Sequence, residues 1–122
     1  MKTRKLLTLA AAVVLGALAI PANGQNKIAI AAHRGFWNCE EAAYAQNSTA
    51  SLLLAQANEF WGSETDVHLT KDDKILVNHD NTIGGFEIET TPMDVIRTSP
   101  KTTLKNGEVP NTLEEYLYQT KK

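Results

Sequence analysis

The stretch Ile28-Ala29-Ile30-Ala31-Ala32-His33-Arg34-Gly35 decides the fold. Its first five residues are apolar without alternation, the pattern of a strand covered on both faces by other elements. Lys27 to Ala32 is therefore predicted as a first strand. It stops abruptly on a His, an Arg and a Gly. Downstream, Phe36 to Gln46 reads as loop, with a helical turn around Glu40 to Tyr44. Asn47 or Ser48 suits the cap of a helix running to about Asn58. Leu52 and Ala55 fall on one side of that helix, as needed for packing on a sheet.

A second strand is predicted over Gly62 to Leu69. Thr70-Lys71-Asp72-Asp73 has turn composition, and Lys74 to Asn78 is a third strand with Ile75-Leu76-Val77 as its buried part. Asn81 to Glu89 is a Gly-containing excursion. Thr91-Pro92-Met93-Asp94 has the form of a helix start, with a cap, Pro at the first position and an acid in the first turn. Thr112-Leu113-Glu114-Glu115 is a capping box that opens a last helix. Apolar strands alternating with helices predict an α/β architecture.

Upstream of the first strand, Lys2, Arg4 and Lys5 precede an uncharged run from Leu6 to Ile20. Pro21 ends the run, and Ala22-Asn23-Gly24 supplies small residues. At fifteen residues the run is short for a membrane span, which needs about 20. Residues 1–24 are expected to be a secretory signal peptide and residues 25–122 the domain, in a secreted or periplasmic protein. Cleavage there removes three of the 12 basic residues and none of the 14 acidic ones, leaving a formal charge of −5. That balance leaves no basic stripe for nucleic acid and suits a soluble protein that holds a cation. Cys39 is the sole cysteine, so no intrachain disulfide forms. Its neighbours Glu40 and Glu41 disfavour a thiolate nucleophile.

Three predicted strands carry chemistry at their ends. The first runs into His33-Arg34, the second bears Glu64 and Asp66, and the third ends at His79-Asp80. Residues i and i+2 of a strand share a face, so Glu64 and Asp66 project together and can share a hard cation such as Ca²⁺ or Mg²⁺. Val67 and its surroundings suggest a buried sheet, where unpaired acids are costly. Arg34 matches a phosphate with its planar fork. His33 and His79 can act as base and acid near neutral pH. His68 points away from Asp66 and reads as structural, and Asp80 as a turn residue. Trp37 and Trp61 read as packing, Trp37 being the better substrate candidate because it follows His33-Arg34-Gly35. In parallel α/β folds such residues gather at the carboxyl ends of strands. Phosphodiester cleavage fits this set.

These motifs, with Gln46-Asn47-Ser48, Gly62-Ser63-Glu64-Thr65-Asp66, Val77-Asn78-His79-Asp80-Asn81 and Asn106-Gly107-Glu108-Val109-Pro110, resemble the glycerophosphodiester phosphodiesterases across nearly all of Lys27 to Leu117. The resemblance implies a TIM (β/α)₈ barrel and metal-dependent hydrolysis of glycerophosphodiesters to glycerol 3-phosphate and an alcohol, in lipid and glycerol metabolism. It implies His33 and His79 as the catalytic pair, Arg34 and Asn47 as substrate-binding residues, and Glu64 and Asp66 as ligands of a divalent metal, Ca²⁺ or Mg²⁺. The chain departs from the family at Gln46, where Glu is usual, at Gly84-Gly85, where an Arg is frequent, and at Asn111, which looks inserted. A complete barrel typically takes about 250 residues. The expectation is therefore the N-terminal part of a barrel, truncated after the first two or three β/α units. Later barrel strands are then the missing partners, with open edges and exposed apolar faces. The alternatives are an inactive fragment that retains the motif, and a lysophospholipid phosphodiesterase of the same fold.

Overall fold

The computed structural model describes residues 28–121. The expected signal segment and the first residue of the first strand lie outside the described residues.

Strand β1 (Ala31–Ala32) pairs in parallel with β2 (Gly62–Ser63), Ala31 opposite Gly62 and Ala32 opposite Ser63. Helix α1 (Thr49–Ala57) makes the crossover between them, as a parallel connection requires. Ser48 caps it, its hydroxyl accepting from the Ser51 amide while Ser51 Oγ accepts from the Ser48 amide. The side buried against the sheet carries Ser51, Leu52 and Ala55.

The expected second strand is two short ones. Past β2 the chain leaves the ladder, and β3 (Val67–Leu69) begins a new, antiparallel pair with β4 (Ile75–Val77). The break falls on Glu64 to Asp66. There the Glu64 amide donates to the Ala32 carbonyl (2.9 Å), the Asp66 amide to Asn47 Oδ1 (3.3 Å), and the Asp66 carbonyl accepts from the Asn78 amide (3.0 Å). A side chain thus takes a backbone donor that a strand partner would take in a continuous sheet. The third predicted strand is the return arm of this hairpin, not a further parallel strand.

A second hairpin, β5 (Thr82–Ile83) and β6 (Phe86–Glu87), fills the Gly-containing excursion. A 3₁₀ turn (Ile88–Thr90), helix α2 (Met93–Thr98), a second 3₁₀ turn (Pro100–Thr102) and helix α3 (Leu113–Gln119) complete the described chain. Pro92, not Thr91, is the N-cap of α2. Its first amide, on Met93, is accepted by Asp72 Oδ1 at 2.9 Å, from the turn between β3 and β4. Thr112 and Glu115 form the capping box of α3.

Strand β4 separates two apolar clusters because its neighbouring side chains face opposite ways. Leu76 packs with Ile88, Met93 and Ile96, and Val77 packs with Leu52 and Tyr116. Burial elsewhere departs from expectation. Ile28 and Ile30 are exposed, so the first strand is not covered on both faces. Among the described residues β2 is its single pairing neighbour. Val67 is 45% exposed, so Glu64 and Asp66 do not sit in a buried sheet. Trp61, Leu117 and Tyr118 add to the exposed apolar surface. No helix among the described residues is long and apolar enough to cross a membrane.

Candidate active site

The site grows from the turn that ends β1. Arg34 has φ +58° and Gly35 has φ +81°. A Cβ on Gly35 would lie 2.3 Å from Ser51 Oγ and 2.8 Å from the Ser51 carbonyl carbon, so α1 approaches this turn as closely as only glycine permits. Arg34, a non-glycine residue in the left-handed region, is held there at both backbone groups. Its amide donates to Glu64 Oε2 (3.0 Å), and its carbonyl accepts from the Asn47 amide (2.9 Å) and Ser51 Oγ (3.2 Å). Such an over-determined conformation is typical of residues that must present a side chain in one direction.

The Arg34 guanidinium is mostly buried. Nη1 donates to Gln46 Oε1 at 2.8 Å, and Nε lies 3.6 Å from Asp66 Oδ2. That separation is an ion pair without a hydrogen bond, and Nε has no hydrogen-bond acceptor among the described residues. Asn47, itself at φ +53°, ties the next strand in. Its Nδ2 donates to Asp66 Oδ2 (3.1 Å), and its Oδ1 accepts from Thr65 Oγ1 (2.7 Å) and the Asp66 amide. His33 is largely exposed, with Nε2 3.9 Å from Glu64 Oε2.

Five of the six predicted site residues therefore converge: His33, Arg34, Asn47, Glu64 and Asp66. His79 joins them through the backbone, since Asn78 before it donates to the Asp66 carbonyl. The imidazole of His79 makes its own hydrogen bond to Asp80, Nδ1 to Oδ1 at 2.6 Å. Asp80 is more than a turn residue: it fixes which ring nitrogen of His79 carries the proton, leaving Nε2 for other work. His68 Nε2 donates to the His79 carbonyl at 3.0 Å.

Sequence reasoning missed the role of Gln46, which appeared only as a departure from the family pattern. The charge of Arg34 beside an amide oxygen is a signal that adjacency to Asn47 alone did not give. Glu108 was missed too. Its two carboxylate oxygens accept from the Thr49 amide (2.8 Å) and the Ala50 amide (3.0 Å) at the start of α1, where an acid complements both the open donors and the helix dipole.

Glu64 and Asp66 are hard oxygen donors of the kind Ca²⁺ and Mg²⁺ prefer, and each has one oxygen in no hydrogen bond or ion pair given above. The kind fits and the number is small: two carboxylates, where a Ca²⁺ takes about six to eight oxygens. No group of three metal-binding side chains is gathered among the described residues. A larger cavity of about 1130 Å³ lies between the β3–β4 turn and helices α2 and α3, and none of the six predicted residues lines it.

The sequence profile of the glycerophosphoryl diester phosphodiesterase family matches residues 33–118. The chain is similar to a glycerophosphodiester phosphodiesterase of Parabacteroides distasonis, with 44% identity and a TM-score of 0.68 over 75% of this chain and 36% of that one. Structures from Galdieria sulphuraria (21% identity, TM-score 0.64, 76% of this chain and 38% of that one) and Thermotoga maritima (24%, 0.57, 78% and 40%) share the fold. No curated protein matches the chain. The chain spans a little over a third of the length of these solved relatives. The family's structures are TIM barrels, and the α/β unit described here is part of that architecture.

Proposed function

The chain belongs to the glycerophosphoryl diester phosphodiesterase family, and from that premise we propose that its site serves the hydrolysis of glycerophosphodiesters to glycerol 3-phosphate and an alcohol. The observation that carries this reading is Arg34. Its backbone is locked on two sides, Gln46 holds Nη1, and Nη2 has no hydrogen-bond acceptor among the described residues. A phosphate oxygen supplies what that donor lacks.

In this reading the phosphodiester lies against Arg34, with His33 on one side and His79 on the other. One imidazole takes a proton from water, the water oxygen bonds to phosphorus, and the phosphorus–oxygen bond to the alcohol breaks. The other imidazole gives a proton to the departing oxygen. Asp80 accepts from Nδ1 of His79, which leaves Nε2 as the nitrogen that exchanges the proton. Gln46 accepts from Arg34 Nη1 and Asn47 donates to Asp66 Oδ2, so each charged side chain has a neutral partner that orients it. Glu64 and Asp66 would hold a divalent cation, Ca²⁺ or Mg²⁺, whose charge offsets that developing on the phosphoryl oxygens. Export to a secreted or periplasmic location is part of the same proposal, supported by the charge and apolar pattern of residues 1–24.

The test is metal-dependent release of glycerol 3-phosphate from glycerophosphocholine by the full chain, with His33→Ala as control. Release at the control's background rate would exclude hydrolysis of that diester by this chain. The small carboxylate count favours a second reading, a motif-bearing chain that binds the phosphodiester and turns it over poorly. Saturable binding without release would establish it. A lysophospholipid substrate differs in product: a cyclic phosphate would indicate attack by a neighbouring hydroxyl instead of water.

A further inference from the structure

Beside the proposed site lies a cavity of about 320 Å³ that the hydrolysis reading leaves without a role. Its volume is within the range of small-molecule sites. Gln46 and Asn78 line it, so it adjoins both the residue bonded to Arg34 and the residue preceding His79. Trp37 and Tyr44 supply aromatic wall, and Lys101 and Lys105 supply charge. No Asp or Glu lines it.

The two lysines are carried on fixed backbone. Ser99 Oγ accepts from the Lys101 amide, and Thr102 Oγ1 anchors the same 3₁₀ turn by donating to the Ile96 carbonyl at 2.7 Å. Gly84, at φ +56°, abuts the Lys101 carbonyl so closely that a Cβ would lie 2.6 Å from it. Lys105 sits in a turn closed by the Leu104 amide on the Glu108 carbonyl and the Gly107 amide on the Leu104 carbonyl, both 2.9 Å. Neither ammonium has a carboxylate within ion-pair distance among the described residues.

Two chemistries compete for such a cavity. Aromatic rings alone would attract a quaternary ammonium by cation–π interaction. Two unpaired lysines with no balancing carboxylate repel that same group and attract an anion, and a like charge placed against a ligand is how a site rejects it. Building on the proposed hydrolysis, we infer that the cavity receives the alcohol substituent of the diester, and that this alcohol is a phosphorylated polyol. The apolar face of the polyol lies on Trp37, and its phosphate meets Lys101 and Lys105.

Binding without turnover separates this inference from the hydrolysis itself. Calorimetric titration of the full chain in the presence of a chelator compares three probes: glycerophosphoinositol phosphate, glycerophosphocholine and inositol phosphate alone. The phosphorylated diester is expected to bind about tenfold tighter than glycerophosphocholine, with an advantage that shrinks at high salt. The Lys101→Gln, Lys105→Gln double variant is expected to erase that advantage, and Trp37→Leu to weaken the phosphorylated diester severalfold. Equal or reversed affinities, no binding of either diester, an advantage that survives the double variant, or inositol phosphate binding as tightly as the diester would each overturn the assignment. Absence of glycerol 3-phosphate release from both diesters in the metal-containing assay would instead bear on the hydrolysis.

Discussion

Glu108 is the carboxylate whose removal should most clearly loosen the site without touching it. It lies 58 residues beyond Ala50, yet its oxygens accept from the first two amides of α1 at 2.8 and 3.0 Å, and Asn106 Nδ2 holds Oε1 at 2.7 Å. A hydrogen bond to a charged acceptor contributes roughly 1.5–3 kcal/mol when it is protected from water. Glu108 is only partly buried, and after truncation water can reach the two amides. Glu108→Ala is therefore expected to cost about 2–3 kcal/mol in all. Glu108→Gln keeps one acceptor oxygen and loses the charge that complements the helix start, for a cost of about 1 kcal/mol. Urea unfolding of the full chain gives the two differences, and amide exchange shows where they act: protection at Thr49 and Ala50 should fall before protection at Leu76 and Val77. An Ala variant that loses less than about 0.5 kcal/mol, with Thr49 and Ala50 still protected, would show that the carboxylate merely rests on the helix.

Four other changes have defined signs. Gly35→Ala places a methyl group against the Ser51 side chain and backbone in a left-handed conformation, and should cost about 2–4 kcal/mol by urea unfolding. Asn47→Ala removes the bonds to Asp66 and Thr65, an expected loss of about 2–3 kcal/mol that Ser51→Ala, a change outside those bonds, should not reproduce on Asp66 in side-chain NMR. Hydrogen bonds from Thr70 Oγ1 and the Met93 amide hold the Asp72 carboxyl below its ordinary 3.8, so its contribution is present above that value and lost as pH falls through the lower folded-state value; Asp72→Asn should flatten the acid limb of stability against pH. Burial pushes the Tyr116 phenol above its ordinary 10.0, so unfolded chains lose this proton first and stability declines as pH rises past 10.0; Tyr116→Phe should remove that decline in urea unfolding followed against pH.

The parts of this fold that were legible in the sequence are those set by neighbours along the chain. Capping residues announced α1 and α3, because a cap and its amide lie three residues apart. Spacing i to i+2 brought Glu64 and Asp66 together, although they converge on Arg34 from an irregular segment and not from a strand. The pairing of β3 with β4 follows from the same local rule. Only residues 70–74 separate the two strands, and a parallel crossover needs about a dozen. What no spacing rule reaches is the set of bonds made across the chain. Asp72 caps α2, Asn47 interrupts a strand, and Glu108 closes the start of α1. Each is a polar side chain that finds an open backbone donor at the end of a distant element. Such donors occur wherever an element ends, and the sequence does not say which acid will reach which end. Yet the site depends on these bonds more than on the strands, whose described pairs are two or three residues long. The Ala32 carbonyl accepts from the Glu64 amide, Glu64 accepts from the Arg34 amide, and the Arg34 carbonyl accepts from Asn47, which holds Asp66. Asn47 stands two residues before the helix start that Glu108 closes. A perturbation at Glu108 is therefore expected to reach Arg34 through the helix start, the backbone between Thr49 and Asn47, and the bond from the Asn47 amide to the Arg34 carbonyl.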